Sequence, residues 1–213
     1  MINICEIFSS LQGESSFSGL PCIFVRLSGC NLRCSYCDTT YCYETKFSLT
    51  PSEILKKIKT YLPLIMVEIT GGEPLLQPQI YELFDNLYIH GYKILLETNG
   101  SILLEDVPRY VHKIVDVKCP GSGEVNSFEL ANLTLLDIHQ DEIKFVLKDY
   151  NDYEWAKAFI KKHDLNDYKI LFSPLTETLS AKKLAGWIIQ DKLNVRLNLQ
   201  LHKIIWGKNQ TGV

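Results

Sequence analysis

Three of the seven cysteines in this chain fall within eight residues, as Cys30, Cys34 and Cys37 in the run Gly29-Cys30-Asn31-Leu32-Arg33-Cys34-Ser35-Tyr36-Cys37-Asp38-Thr39. Gaps of three and then two residues bring three thiolates to one side of a tight loop. Such a set can hold three corners of an iron–sulfur cube, or most of a zinc site. Iron–sulfur clusters usually take four cysteines, and structural zinc takes four closed ligands. No fourth ligand stands nearby at a matching spacing. Cys42 is five residues on, and Cys5, Cys22 and Cys119 are scattered. A site with three protein ligands leaves one metal position open, and an open position is where chemistry happens. The bland alternative is burial, because free cysteine is among the most buried residue types.

The flanks favour ligation. A strand-like run, Cys22-Ile23-Phe24-Val25-Arg26-Leu27, feeds straight into the loop, and Tyr36 stands before the last cysteine. A C-x3-C-x2-C run with an aromatic in that place resembles the signature of the radical S-adenosylmethionine (SAM) superfamily. The closer resemblance is to the 7-carboxy-7-deazaguanine synthase family. It is carried by Leu11-Gln12-Gly13-Glu14, by the cysteine run, by Asp116-Val117-Lys118-Cys119-Pro120-Gly121-Ser122-Gly123 and by Gln200-Leu201-His202-Lys203. These blocks span almost the whole chain. One departure is noted: the family often has glycine after the Gln-Gly-Glu block, where this chain has Ser15 and Ser16.

The resemblance implies a specific site. Cys30, Cys34 and Cys37 would ligate a [4Fe–4S] cluster, with SAM chelating the fourth iron. Tyr36 and Asp38, the Gly71-Gly72-Glu73 segment, Thr98 and Asn99, and Lys118, Pro120 and Ser122 would surround SAM. Leu11, Gln12, Gly13, Glu14, Arg26, Thr70 and His202 would meet the substrate, 6-carboxy-5,6,7,8-tetrahydropterin. Thr39 would offer a hydroxyl to Mg2+, which prefers oxygen ligands and completes its shell with waters or substrate oxygens. Electron transfer into SAM would generate a 5′-deoxyadenosyl radical. That radical would remove a hydrogen atom from C6, and ring contraction with loss of ammonia would give 7-carboxy-7-deazaguanine. A flavodoxin- or ferredoxin-type electron donor and a homodimer are also implied.

Each motif has a plainer reading. Gly71-Gly72-Glu73-Pro74 is a possible strand-to-helix turn, in which glycine adopts backbone angles that other residues resist. Thr98-Asn99-Gly100 has the look of an Asn-Gly turn. Lys118 fits a snorkelling surface lysine, and Thr39 fits a turn cap. Arg26 sits in an otherwise apolar strand, at the alternation phase of Phe24. A buried arginine needs an anion, which is either a protein carboxylate or a bidentate substrate carboxylate. His202 is equally compatible with a satisfied core histidine. Cys5, Cys22 and Cys42 read as packing residues, and Cys119 as structural.

These motifs need a frame. Runs at Cys22–Leu27, Leu64–Ile69, Tyr92–Glu97, Ile114–Lys118, Glu142–Leu147, Lys169–Ser173 and Val195–Leu199 read as strands, one of them an edge. Helical spacing marks a segment starting at Pro51, capped by Thr50 with Glu53 as the capping-box partner. Three more helices are expected at Gln77–His90, Tyr153–His163 and Ser180–Gln190. Alternating strands and helices predict an α/β fold with a parallel sheet. The resemblance makes it an incomplete, partial TIM-like βα barrel over a single domain, residues 1–213. Ligands bind such folds where loops leave the C-terminal ends of the strands, and the cysteines and the strand-tip motifs all sit there.

Bulk properties narrow the partners. The formal net charge of −3 gives no polyanion-binding surface, so nucleic acid is not expected. The longest apolar run, Leu62–Val67, is far short of a membrane span, and the start has no signal-peptide pattern. An odd cysteine count with tight clustering fits a reducing cytoplasm better than a disulfide framework. Two rivals remain. A glycyl-radical-enzyme activase of the same superfamily would use the same cysteine spacing, yet has no reason to gather Gln12-Gly13-Glu14, Arg26 and His202. A non-catalytic zinc or electron-transfer protein would leave the strand-tip motifs unexplained.

Overall fold

The structure is a computed structural model and describes residues 1–207, 210 and 212. Its frame is one nine-stranded sheet. In chain order the strands are β1 (Ile2–Leu11), β2 (Pro21–Leu27), β3 (Phe47–Leu49), β4 (Met66–Gly71), β5 (Lys93–Thr98), β6 (Val111–Asp116), β7 (Glu142–Leu147), β8 (Lys169–Pro174) and β9 (Arg196–Leu197). Their spatial order is β3-β1-β2-β4-β5-β6-β7-β8-β9. From β2 onward every neighbour pair is parallel, while β1 pairs antiparallel with both β2 and β3. The sheet is open: β3 and β9 are its edges, so the barrel is incomplete, as expected. The two-residue β9 is the edge strand the sequence left unplaced.

Helices α1 (Pro51–Ile58), α2 (Ile80–Ile89), α3 (Tyr150–Lys162), α4 (Ala181–Gln190) and α5 (Leu201–Ile205) complete the fold. The capping box of α1 forms in full, with Thr50 Oγ1 accepting from Glu53 N and the Glu53 carboxylate accepting from Thr50 N. Asp149 caps α3, which therefore starts three residues earlier than its apolar spacing suggested. None of these helices, among the described residues, is long and apolar enough to cross a membrane.

Strand alternation divides the buried residues into two sets. One face packs under the helices, with Val25, Val67, Ile69, Ile94, Leu96, Val115, Ile143 and Phe145 in a single core. The other face points inward. Near its base it carries a small apolar cluster of Cys22, Phe24, Met66, Leu95, Ile114 and Leu171. Higher on the same inward rows stand Arg26, Glu68, Thr70, Glu97, Asp116 and Lys144, which line the interior.

The cysteines need one correction. Cys5 and Cys42, read above as packing residues in a disulfide-free chain, are joined by a disulfide with their Cα atoms 5.3 Å apart. The turn after the cysteine loop folds back on β1, because Gly29 N donates to Cys42 O and Lys46 N donates to Ile4 O. That return places two distant cysteines within bridging range, a proximity the linear spacing does not contain. Cys22 and Cys119 are fully buried and free, as expected of packing residues.

Candidate active site

The loops at the C-terminal ends of β2, β4, β5 and β6 surround one cavity of about 460 Å3. Cys30, Cys34 and Cys37 line it as free, half-buried thiols. Cys37 N donates to Cys34 O, and Cys30 Sγ accepts from Leu32 N at 3.4 Å and Asn99 Nδ2 at 3.8 Å. Burial pushes the Cys34 thiol up, and Lys118 pulls the other way. Among the described residues no three His, Cys, Asp or Glu side chains converge on a single ion.

Backbone beside the cysteine loop packs too closely for a side chain at one position. A Cβ on Gly72 would stand 1.7 Å from Gly29 O. Its N–H donates to Leu27 O, and Glu73 N donates to Gly29 O, so the glycine pair is stitched to the entry of the cysteine loop. Gly72→Ala is expected to cost at least about 1–3 kcal/mol, since backbone rather than a flexible side chain must move. A thermal melt and iron content after reconstitution, both lower than wild type, are the readout.

Most residues expected at the site do line the cavity: Tyr36, Asp38, Thr39, Gly71, Gly72, Thr98, Asn99 and Lys118, together with Leu11, Gln12, Gly13, Glu14, Arg26, Thr70 and His202. Glu73, Pro120 and Ser122 do not. Glu73 is fully buried behind the wall, where its carboxylate accepts from Leu75 N, Thr98 Oγ1 and Asn99 N. Burial pushes its carboxyl up despite these donors. Ser122 is also fully buried, and its carbonyl accepts from Ser35 N of the cysteine loop. Pro120 is exposed at the start of the same turn.

The interior side of the cavity is held by a polar lattice. The β1–β2 loop enters the open sheet here. Gln12 Nε2 donates to Glu68, Gln12 Oε1 accepts from Glu14 N, and Ser15 N donates to Asn198 Oδ1. The last helix closes over this loop. Leu201 N donates to Gly13 O, Gln200 Nε2 to Glu14 Oε1, and Lys203 Nζ to Asp38 Oδ2. A Cβ on Gly13 would stand 2.0 Å from His202 Nδ1, so only glycine lets the histidine sit there. Burial pushes His202 below its ordinary value, with Glu14 opposing.

Arg26 realises its internal alternative in this structure, donating from Nε to Glu6 Oε1 at 2.9 Å. Tyr41 donates to the same oxygen. The guanidinium has five donors, so this pair does not preclude a second anion.

Several residues of the lattice were given no site role in the sequence: Glu6, Tyr41, Glu68, Glu97, Lys144 and Asn198, together with Asp116 and Gln200, which stood in the motifs without one. Asp116 Oδ2 accepts from Lys118 Nζ at 2.7 Å, while its buried Oδ1 has no hydrogen-bond partner among the described residues. A buried acceptor left open calls for a donor, and this one belongs to a residue lining the cavity. With the three thiols lining the same cavity, it makes the residues a fit for a cluster with a polar, hydroxyl-bearing cofactor.

Glu68 is pushed towards its neutral form in this setting. Burial, then Glu97 and Glu14, push it well above the ordinary glutamate range. A carboxyl raised on folding stabilises fully below its unfolded value and loses that contribution as pH rises towards the folded one. Glu68→Gln removes the ionisation and keeps an acceptor for Gln12. Its melting temperature relative to wild type is therefore expected to climb as pH rises from the acidic range through neutrality. An offset that does not change with pH would show that Glu68 is already ionised.

Comparison with known proteins agrees with this architecture. Residues 24–163 match the model of the radical SAM superfamily. The chain is 45% identical to a 7-carboxy-7-deazaguanine synthase of Koribacter versatilis, over the full length of both proteins. It is 43% identical to one of Chlorobaculum tepidum, covering all of this chain and 97% of that one. The crystal structure of QueE from Escherichia coli superposes with a TM-score of 0.77 at 24% identity, covering 94% of each chain. That last likeness speaks for the fold.

Proposed function

The chain belongs to the 7-carboxy-7-deazaguanine synthase family of the radical SAM superfamily, and from that membership we propose the reaction it performs. It converts 6-carboxy-5,6,7,8-tetrahydropterin to 7-carboxy-7-deazaguanine with loss of ammonia, a step towards queuosine and related deazapurines. The observation that carries the reading is that three free cysteines, Arg26 and His202 all line one cavity.

A [4Fe–4S] cluster and SAM, when bound, supply the one-electron chemistry that removes a hydrogen atom from substrate. The chain's own part is to hold and orient. Cys30, Cys34 and Cys37 hold the cluster. Tyr36, Asp38, Gly71, Gly72, Thr98, Asn99 and Lys118 form the SAM side of the cavity. Glu73, Pro120 and Ser122 serve that side indirectly: Glu73 fixes Thr98 and Asn99, and the Pro120–Ser122 turn anchors the cysteine loop.

On the other side, Arg26 and His202 take the substrate carboxylate, and the Leu11–Glu14 backbone and Thr70 frame the ring. Helix α5, tied to Gly13, Glu14 and Asp38, excludes water. The Thr39 hydroxyl would be the chain's ligand to Mg2+. A single neutral oxygen makes that site weak until substrate adds its own oxygens. A cytoplasmic setting, a flavodoxin- or ferredoxin-type donor and a homodimer complete the proposal.

The test is a tracer. With substrate deuterated at C6, deuterium is expected in SAM or in nucleoside derived from it. Turnover with full retention of deuterium in the pterin-derived product would sink the assigned abstraction.

A further inference from the structure

One lysine of the cavity interior touches none of the residues assigned to the cluster or to SAM. Lys144 stands on β7, 4% exposed, in register with Asp116 of β6. Its ammonium donates to Glu97 of β5 and, at 3.1 Å, to Glu14 Oε2 of the β1–β2 loop, and it lies 3.9 Å from Asp116 Oδ2. Three acidic groups from three elements thus share one cation. The other cations lining this space have nearer partners: Lys118 shares Asp116 Oδ2 at 2.7 Å, Arg26 pairs with Glu6 and Lys203 with Asp38, while the His202 ring lies close enough to Glu14 to feel its charge. Among the described residues no other ion pair to Glu14 or Glu97 is formed.

We propose that Lys144 is a positioning residue for substrate: it divides one positive charge between Glu14 and Glu97, and so fixes two carboxylates as acceptors for N–H groups of a planar heterocycle. The inference rests on the proposed pterin substrate and deepens it. An aminopyrimidinone edge carries adjacent N–H donors and no charge. It is held best by carboxylates that are ionised and cannot turn away.

The surroundings show why Lys144 decides this. Glu68 of β4 and Glu97 of β5 both face the cavity interior. Glu97 stays below the ordinary glutamate range: burial pushes it up, and Lys144, then Lys118 and Arg26, more than reverse that. Glu68, which forms no ion pair among the described residues, goes the other way. Thr70 Oγ1 also donates to Glu97. Lys144, the cation in contact with Glu97, is thus the largest opposing influence that holds Glu97 towards its charged form while its neighbour Glu68 is pushed towards the neutral one. Without it, Glu14, Glu68, Glu97 and Asp116 would crowd one enclosed space, and protons rather than substrate would relieve the repulsion.

The experiment measures binding of pterin-6-carboxylate, a fluorescent and unreactive analogue, to the reconstituted protein with SAM across a pH series. Lys144→Met is expected to weaken binding at neutral pH by at least about tenfold, with affinity recovering as pH rises and Glu97 re-ionises. Lys144→Arg is expected to restore most of the affinity and the flat profile. If Lys144→Met does not fold, the double variant K144M/E97Q removes both charges of the closest pair. It is expected to fold and to bind weakly at every pH. Tight binding by that double variant, or by K144M with the wild-type profile, would overturn the role of Lys144 alone. Failure of the wild type to bind would overturn the substrate reading, and this inference with it.

Discussion

Cys34→Ala is expected to yield a folded protein that holds almost no iron after reconstitution and turns over no substrate. Cys34 lies half-buried in a loop, outside both apolar clusters, so its loss should leave the melting temperature close to wild type. The cluster is another matter. With three protein thiolates there is no spare ligand, and two cannot hold a cube against solvent. Cys119 follows β6 nearby but offers no substitute. It is fully buried, and burial, with Asp152 and Asp116, pushes its thiol well above the ordinary value. Metal sites need the thiolate. Iron content and visible absorbance should therefore fall to background. A variant retaining the cluster would mean that another group completes the site and that the three-cysteine assignment is wrong.

Arg26→Ala is expected to leave the cluster and SAM binding intact and to weaken kcat/KM for the carboxylated pterin severely. Losing a buried, charged hydrogen-bonding partner costs about 2–5 kcal/mol, which is about thirtyfold to several thousandfold. The Glu6 pair complicates this, because alanine strands Glu6 in a partly buried place. Tyr41 still donates to the same Glu6 oxygen, which limits the damage. Glu6→Gln is the control: it removes the internal partner and keeps Arg26 charged. If Arg26 serves substrate, Glu6→Gln should do far less harm than Arg26→Ala. Normal turnover by Arg26→Ala refutes the substrate role. Loss of the cluster in that variant would make Arg26 a structural partner of Glu6 only.

The legible part of this molecule was the part written in local patterns. Buried strands such as Lys169–Ser173 stand as nearly continuous apolar runs between helices. The Thr50-Pro51 cap is a short-range device that needs no tertiary partner. The cysteine spacing and the glycine pair after β4 are local as well. Strand β3 was not foreseen because it is only three residues long and its antiparallel partner β1 lies on the far side of the cysteine loop, and β1 was passed over although its partner β2 follows after a short loop. The Cys5–Cys42 bond depends on a return across 37 residues.

The missed site residues share a different cause. Glu68, Glu97, Asp116 and Lys144 lie inside or at the ends of strands that read as buried, and attention to the strand tips passed over them. A signal was present. Each sits at the same inward alternation phase, Glu68 two residues before Thr70 and Asp116 two before Lys118. Charges repeating at that phase in adjacent buried strands mark a polar interior. What alternation could not supply is the pairing, since Lys144 meeting Glu97 and Glu14 depends on how far the sheet curls.

One anaerobic measurement bears most directly on the central claim. The protein is reconstituted with iron and sulfide, reduced, and given SAM, Mg2+ and 6-carboxy-5,6,7,8-tetrahydropterin, and the products are followed by mass. The account predicts 7-carboxy-7-deazaguanine with ammonia released in equal amount. Cleavage of SAM with the pterin left unchanged would contradict the substrate and move an activase reading forward. Zinc retained with no cluster and no cleavage would contradict the reading of the three cysteines.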